Sequence, residues 1–387
     1  MGCCCKKRKE LEIFSPKGLA QDNLLEESVI ESQRNEVKVK VNLDYFENIK
    51  LLGKGTFGKV LLVKLKSNNT YYAMKILNKN QLKLSKQEIH TKNERDIMIK
   101  ISSPFIVSIK FAFQDKTNLY LVSEFMQGGE LFFHLRKEKY FSEEFVKFYA
   151  MELVLAISHI HEKNAVYRDL KPENILLDKY GHIKLTDFGL AKILKDNEKA
   201  FTICGTYKYI APEILLNRGY KKEVDWWSLG CVLFQMLEGK SPFGSPKGQM
   251  TLSFYKKKLN FYYTDSDITK QFIKELLVIN PEHRLGYGKD GATKIKNHKF
   301  FNGVDWDKAL RKEYKPPFVP ELLDELDLKY FDKTFTEENL DLNKIQKSKT
   351  SESFKSDDNY KNFSYVDKNI NEELIKNDSD SDSDSDN

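Results

Sequence analysis

The sequence predicts an α+β fold of two lobes: a small antiparallel β lobe with one main helix, a larger mainly α-helical lobe, and an extended C-terminal tail. Three observations lead there. From Tyr45 onward, short runs rich in Val, Ile, Leu and Tyr alternate with polar breaks, as strands do. After Gly128 and Gly129 the apolar spacing becomes helical. From Asn302 both signals fade while Pro316, Pro317, Pro320 and scattered aromatics persist, which suits a chain packed along a surface without a core of its own.

Residues 10–42 are polar, with a weak apolar grouping at Leu24, Leu25 and Val29; they read as a linker with room for a short helix after Asp22. Strands are expected around residues 49–51, 59–65, 71–76, 106–113 and 119–124. A helix at about 86–101 interrupts them, with Ile89, Ile97, Met98 and Ile101 available as its buried stripe. In the larger lobe, helical periods run over 130–136, 142–161, 224–238 and 269–279, and Ser142 is placed to cap the second of these.

Charge and cysteine usage exclude several classes. The 387 residues carry 63 Lys and Arg against 57 Asp and Glu, so the formal charge of +6 is too diffuse to call for nucleic acid. Lys6, Lys7, Arg8 and Lys9 form a local basic block, whereas Ser and Asp alternate from Asp378 to the end, a solvated tail. Cys3, Cys4 and Cys5 are adjacent, and Cys204 and Cys231 stand far apart, which makes neither a disulfide framework nor a zinc site and points to a reducing compartment. No apolar run of about 18 residues is present to span a bilayer.

Gly53, Gly55 and Gly58 in LGKGTFGKV, residues 52–60, let backbone amides approach phosphate oxygens without interference from Cβ. Taken alone the string fits a tight hairpin turn equally well. No helix follows it, against a dinucleotide fold, and no Gly-Lys-Ser or Gly-Lys-Thr follows, against a P-loop, so a flexible lid over a nucleotide fits better. Lys75, in YYAMKIL, falls within a strand, where a buried ammonium needs negative charge; phosphates and Glu94 of the NERDIMI helix can supply it. As a lone pair these two would more often form a surface ion pair.

The string AVYRDLKPENILLDKYGHIKLTDFGLAK holds Tyr167, Arg168, Asp169, Lys171, Asn174 and Asp187-Phe188-Gly189 in the order and spacing of a catalytic loop and a metal-binding loop. Here the sequence resembles the eukaryotic protein-kinase family. AMK, APE at Ala211–Glu213, DWWSLG at Asp225–Gly230 and HRLG at His283–Gly286 extend the match in order. The resemblance implies a bilobal protein-kinase fold over residues 45–301, with ATP and Mg²⁺ as cofactors. It makes Asp169 the acceptor of the substrate hydroxyl proton, Asp187 and Asn174 the metal ligands, Lys171 a γ-phosphate contact, and Lys75 with Glu94 the clamp on the α and β phosphates. It also places Leu52, Gly53, Lys54, Gly55, Thr56, Phe57, Gly58, Lys59 and Val60 over the nucleotide, with Val60, Ala73 and Leu176 sandwiching the adenine. Glu124 and Met126 should meet the adenine edge through their backbone, and Glu130 should lie near the ribose. Ser123 takes the gatekeeper position, where a small side chain opens a pocket behind the adenine. Tyr167 stands where His is usual and should fill a hydrophobic stack with Met98, Ile109 and Phe188.

Within the family the likeness is to the AGC group of serine/threonine kinases, through YRDLKPEN, FTICGT and the tail strings YKPPFVP and KYFDKTF, over roughly residues 45–365. That resemblance brings an AGC-type tail over 302–366, with Phe331 on the adenine side and an acidic disordered end over 367–387. It makes Thr202 the activation-loop site of an upstream activating kinase, its phosphate meeting Arg168, Lys192 and His90. Tyr360, Phe363, Ser364 and Tyr365 resemble a hydrophobic motif docking beside the Glu94 helix, with Ser364 as its phosphosite; a turn-motif site falls among Ser348, Thr350, Ser351 and Ser353. Acceptors should be protein Ser or Thr hydroxyls, partly basophilic, because Glu130 and Glu173 can receive basic side chains while Lys208 and Gln235 replace two acids of the family, and Tyr207 replaces a proline.

Residues 1–44 read as a lipid-anchor and linker segment. Gly2 behind Met1 is presented for myristoylation and Cys3, Cys4 and Cys5 for palmitoylation, beside the basic block, which would hold the protein on the cytoplasmic face of a membrane. Lys6 departs from the preferred Ser or Thr, and a plain basic terminus is the alternative.

Overall fold

The computed structural model describes residues 39–55, 58–195, 198–244, 252–338 and 360–383. Gly2, Cys3, Cys4, Cys5, the stretch after Asp22, Thr56, Phe57, Ser348, Thr350, Ser351 and Ser353 lie outside them.

The small lobe is built on antiparallel strands β1 (Phe46–Gly55), β2 (Gly58–Leu65), β3 (Tyr71–Asn78), β4 (Ile109–Gln114) and β5 (Asn118–Glu124), in the order β1-β2-β3-β5-β4. Alternation decides what each face carries: Tyr72, Met74 and Ile76 are buried, whereas Ala73 and Lys75 are half-buried on the opposite face. The register sets Val60 opposite Lys75 and Ala73 opposite Ser123, so the two adenine-flanking side chains of the sheet and the gatekeeper share one neighbourhood.

A short helix α1 (Lys79–Leu84) precedes the main one, α2 (Glu88–Lys100), which buries Thr91, Glu94, Ile97 and Met98. Ile89 corrects the expected stripe: it is 71% exposed. It stands nine residues before Met98, about 180° round a helix of 3.6 residues per turn, and so faces water. The segment before Ile109 is not strand as expected. Val107 N–H donates to the Leu185 carbonyl and Leu185 N–H to the Phe105 carbonyl, so residues 105–107 pair with the large lobe, and the backbone reaches β5 only from Ser108, whose carbonyl accepts from Glu124 N–H.

The large lobe follows through β6 (Gly129–Glu130), α3 (Leu131–Glu138) and α4 (Glu143–Glu162), whose N-cap Ser142 accepts from Phe145 N–H as the sequence suggests. Short strands β7 (Ala165–Val166), β8 (Ile175–Leu177), β9 (Ile183–Leu185) and β10 (Lys192–Ile193) frame the loops between α4 and α5 (Glu223–Glu238). Helix α5 is buried from Val224 to Glu238, all round its circumference, which makes it the axis of this lobe. Gly239 ends it in the left-handed conformation (φ 69°), where a Cβ would lie 2.3 Å from the Lys139 carbonyl oxygen. Helix α6 (Asp267–Leu276) stops short of Ile279, because Asn280 and Pro281 begin a separate 3₁₀ turn.

The tail returns to the small lobe. Helix α7 (Lys333–Thr336) lies against β1. Farther on, Tyr360 and Phe363 are 0% and 1% exposed, and β11 (Tyr365–Val366) pairs antiparallel with β4 as a sixth strand, covering an otherwise open edge. Beyond it the acidic end departs from expectation, since residues 368–383 form helix α8 (Lys368–Ser383). Asp367 Oδ1 accepts from Asn369 N–H at the helix start, and Ile370 and Leu374, one turn apart, are 8% and 3% exposed. The Ser-Asp composition masks that apolar pair.

Candidate active site

Between the lobes, Lys75 on β3 meets Glu94 on α2. Its Nζ donates to Glu94 Oε1 at 2.7 Å and Oε2 at 3.0 Å. Burial opposes the Lys75 ammonium, but the charges of Glu94 and Asp187 outweigh it and hold its pKa above the usual lysine value. Burial pushes Glu94 upward against the pull of Lys75, and Asp187 pushes it the same way. Lys75 is thus held charged beside two carboxylates, at a place where a cation bound by Asp187 would leave its ammonium free to meet a further anion.

Across the cleft Asp169, 7% exposed, is surrounded by donors. Lys171 Nζ donates to its Oδ2 at 2.7 Å, Asn174 Nδ2 to the same oxygen at 3.0 Å, and Thr206 Oγ1 to Oδ1 at 2.9 Å. The loop carrying it is bent through Arg168 at φ 70°, and Asp187 sits at φ 58°, conformations that cost a non-glycine residue energy and that cluster at functional sites. A carboxylate missed by the sequence reading holds this loop. Asp225, 0% exposed at the start of α5, accepts from Tyr167 N–H (2.9 Å), Arg168 N–H (2.8 Å) and the His161 ring (2.8 Å). DWWSLG was legible as a motif, but only tertiary contact gives its acid that work.

Asp187 and Asn174 suit Mg²⁺ by the chemistry of their oxygens. Asn174 turns its amide nitrogen to Asp169, which leaves Oδ1 as an acceptor, and Asp187 Oδ1 takes only a long bond of 3.4 Å from Gly189 N–H. One carboxylate plus one amide oxygen is a common protein share for an ion that keeps water and phosphate ligands. Below them Tyr167 and Phe188 pack with ring centres 5.1 Å apart, and Met98 and Ile109 are buried in the same core, as the predicted stack requires.

The residues expected around the adenine are placed as follows. Val60, Ala73 and Leu176 are half-buried, Met126 is 4% exposed with its carbonyl accepting from Gly129 N–H, and the Glu124 carboxylate is taken by Lys184 and Ser108. Phe331 reaches this region by stacking on Phe125 at 5.6 Å. Lys54 of the glycine-rich string pairs with Glu338 beyond α7 at 2.6 Å, a contact that no local pattern signals. Lys59 lies beside it, its pKa lowered by burial and then by Lys54. At Ser123 we expect Ser123→Met to weaken a bulky ATP-competitive inhibitor by roughly tenfold or more, the scale of overfilling a packed pocket. Inhibition constants for a matched small and bulky pair check this, and equal loss for both would contradict it.

In the activation segment Thr202 is exposed, and its carbonyl accepts from Tyr220 Oη at 2.6 Å. Arg168 Nη1 reaches that same Tyr220 hydroxyl at 3.1 Å, so it is near Thr202 through one intermediary. The other two expected cations are engaged elsewhere, Lys192 with Glu198 at 2.7 Å and His90 Nδ1 with the Gly189 carbonyl at 3.2 Å. Beside α2, Arg95 lies 5.3 Å from the Phe363 ring centre, and Lys79 and Lys92 each 5.4 Å from that of Tyr360, while Ser364 is exposed between them and β11.

Residues 46–301 match the family described as protein kinase domain, and 323–365 the one described as protein kinase C terminal domain. The chain is similar to the serine/threonine-protein kinase SCH9 of Candida albicans, 46% identical over 348 residues, covering 86% of this chain and 43% of that protein. It is 43% identical over 329 residues to the serine/threonine-protein kinase AtPK1/AtPK6 of Arabidopsis thaliana, covering 85% of this chain and 70% of that one. Against human ribosomal protein S6 kinase alpha-3 it is 47% identical over 302 residues, 77% of this chain and 41% of the relative. The chain thus spans less than half the length of two of these three relatives. With a matched kinase domain, a matched C-terminal domain and such relatives, the chain belongs to the protein kinase family, in the AGC group of serine/threonine kinases.

Proposed function

We propose that this chain transfers the γ-phosphoryl group of ATP to Ser and Thr hydroxyls of proteins, through the residues named above. The observation that carries the reading is the Asp169 carboxylate, held by Lys171, Asn174 and Thr206 across a cleft from the Lys75–Glu94 pair. Phosphoryl transfer asks a protein for alignment and charge neutralisation more than for covalent chemistry. Asp169 Oδ orients the acceptor hydroxyl and takes its proton, Lys171 lies between that carboxylate and the γ-phosphate, and Lys75 holds the α and β phosphates. Asp187 and Asn174 would hold Mg²⁺, which when bound offsets charge on the phosphate oxygens. The glycines of 53–58 bring backbone N–H groups over them, while Val60, Ala73 and Leu176 exclude water from the base.

Acceptors with basic residues are favoured in part. Burial, then Glu173, raises the Glu130 carboxyl, and Glu173 Oε2 is buried with no hydrogen-bond partner among the described residues. A buried carboxylate oxygen without a donor is costly, and an incoming guanidinium or ammonium relieves it.

Activity is set by phosphate on Thr202, placed by an upstream kinase, and on Ser364. The Arg168–Tyr220–Thr202 relay supports the first, and the buried Tyr360 and Phe363 support the second. A peptide array run with and without phosphate at Thr202 tests substrate class and switch together. Thr202→Ala is expected to lower kcat/KM by roughly tenfold or more, since one hydrogen bond to a charged group contributes about 1.5–3 kcal/mol. Full activity in that variant would refute the switch.

At the other end, the string MGCCC followed by four basic residues supports acylation of Gly2 and of one or more of Cys3, Cys4 and Cys5, giving two membrane signals. Gly2→Ala should move most of the protein from the pelleted membrane fraction to the supernatant. Unchanged partition would contradict the anchor.

A further inference from the structure

Between the catalytic loop and α5 runs a segment of four residues pinned at both ends. At one end Thr206 Oγ1 donates to Asp169 Oδ1 at 2.9 Å and accepts from Lys171 Nζ at 3.3 Å. At the other, Tyr209 Oη donates to Gln235 Oε1 at 2.6 Å, and the Tyr209 carbonyl accepts from Ser228 Oγ at 2.9 Å. Tyr209 N–H closes the turn on the Thr206 carbonyl. The two residues between are thereby turned to solvent: Tyr207 is 61% exposed, and Lys208 is exposed as well.

Among the described residues the Lys208 ammonium has no carboxylate or hydrogen-bond partner. It stands two residues from a hydroxyl bonded to the Asp169 carboxylate. An acceptor chain whose hydroxyl reaches Asp169 must pass this turn, and the field of an unneutralised lysine falls on it. Tyr207 adds a flat apolar surface beside the charge, so a side chain docking there meets an aromatic wall and a cation.

We propose that Lys208, backed by Tyr207, is a specificity determinant selecting acceptors that carry an anionic group, a carboxylate or a phosphate, near the hydroxyl to be phosphorylated. This goes beyond the basophilic reading and rests on the acceptor lying beside Asp169. The favoured acceptor is mixed in charge, with a basic residue for Glu130 and Glu173 and an acidic one for Lys208.

The test uses acceptor peptides that keep their basic residues while Glu, phosphoserine, Gln or Lys is placed in turn at each position flanking the acceptor. Wild type, Lys208→Gln and Lys208→Glu are compared by the ratio of kcat/KM for the Glu peptide to that for the Lys peptide. At one flanking position this ratio should fall roughly tenfold from wild type to Lys208→Glu, with Lys208→Gln between, and the change should sit in KM. A phosphoserine peptide that outruns the Glu peptide makes phosphate the preferred anion, and the reverse makes it carboxylate; both support the assignment. Peptide affinity by fluorescence polarisation reads the same ratio in a protein without turnover, so a shift there with no phosphorylation anywhere would keep the Lys208 assignment and sink the catalytic reading. Ratios unchanged at every position in both variants overturn the proposal.

Discussion

Asp169→Asn is expected to lower kcat by about 10²–10⁴-fold, the usual contribution of a positioned acid or base, with the KM for ATP little changed. Two effects combine. The amide cannot take the acceptor proton, and it also misfits its surroundings. Lys171 Nζ, Asn174 Nδ2 and Thr206 Oγ1 all donate to the two carboxylate oxygens. An asparagine offers one oxygen, so its NH₂ must face either the donors Lys171 and Asn174 or Thr206, whose hydroxyl then has to turn from donating to accepting. Because Lys75, the proposed phosphate contact, is tied to Glu94 within the small lobe and away from Asp169, nucleotide binding should survive. Steady-state kinetics with a fixed peptide, beside a melting curve showing intact folding, would decide it. A kcat within about tenfold of wild type would remove Asp169 from the role given to it.

Arg284→Ala should cost about 3–5 kcal/mol of stability. The guanidinium is 0% exposed in its side chain and clasps Glu213 at both oxygens, 2.6 and 2.9 Å, with further bonds to the Val278 and Glu223 carbonyls and the Trp227 ring 5.1 Å away. Truncation strands the Glu213 carboxylate, 3% exposed, without a partner. Loss of a buried partner is severe for this reason, even though the intact pair need not add much over an apolar pair of the same volume. The double variant Glu213→Gln with Arg284→Met should therefore recover a large part of the loss. Thermal unfolding of the three proteins reads this, and a drop below about 1 kcal/mol for Arg284→Ala would show that water reaches the site.

The candidate site was largely legible in the residues because it rests on local strings: the order of Asp169, Lys171, Asn174 and Asp187 is fixed by one loop and the turn after it. Less legible was what holds those strings. Asp225 lies 56 positions beyond Asp169 in the numbering, and Glu213 finds Arg284 71 positions away, so no window on the sequence contains both partners. Ile89 falls outside the buried stripe because the inward face of α2 carries the polar Thr91 and Glu94 beside Ile97 and Met98, a face that apolar character alone does not mark. The acidic end failed the other way: two apolar residues one turn apart, Ile370 and Leu374, were outweighed by the Ser and Asp around them.

By itself the sequence determined the two-lobed plan and the family and nominated the residues for the chemistry, since hydrophobic period and short catalytic strings are written locally. Only the tertiary structure decided that Lys192 answers Glu198, that Glu338 holds Lys54, that the tail supplies a sixth strand, and that Lys208 is exposed without a counter-ion among the described residues. Charges choose partners by distance in space, and folding brings together groups that the chain keeps far apart.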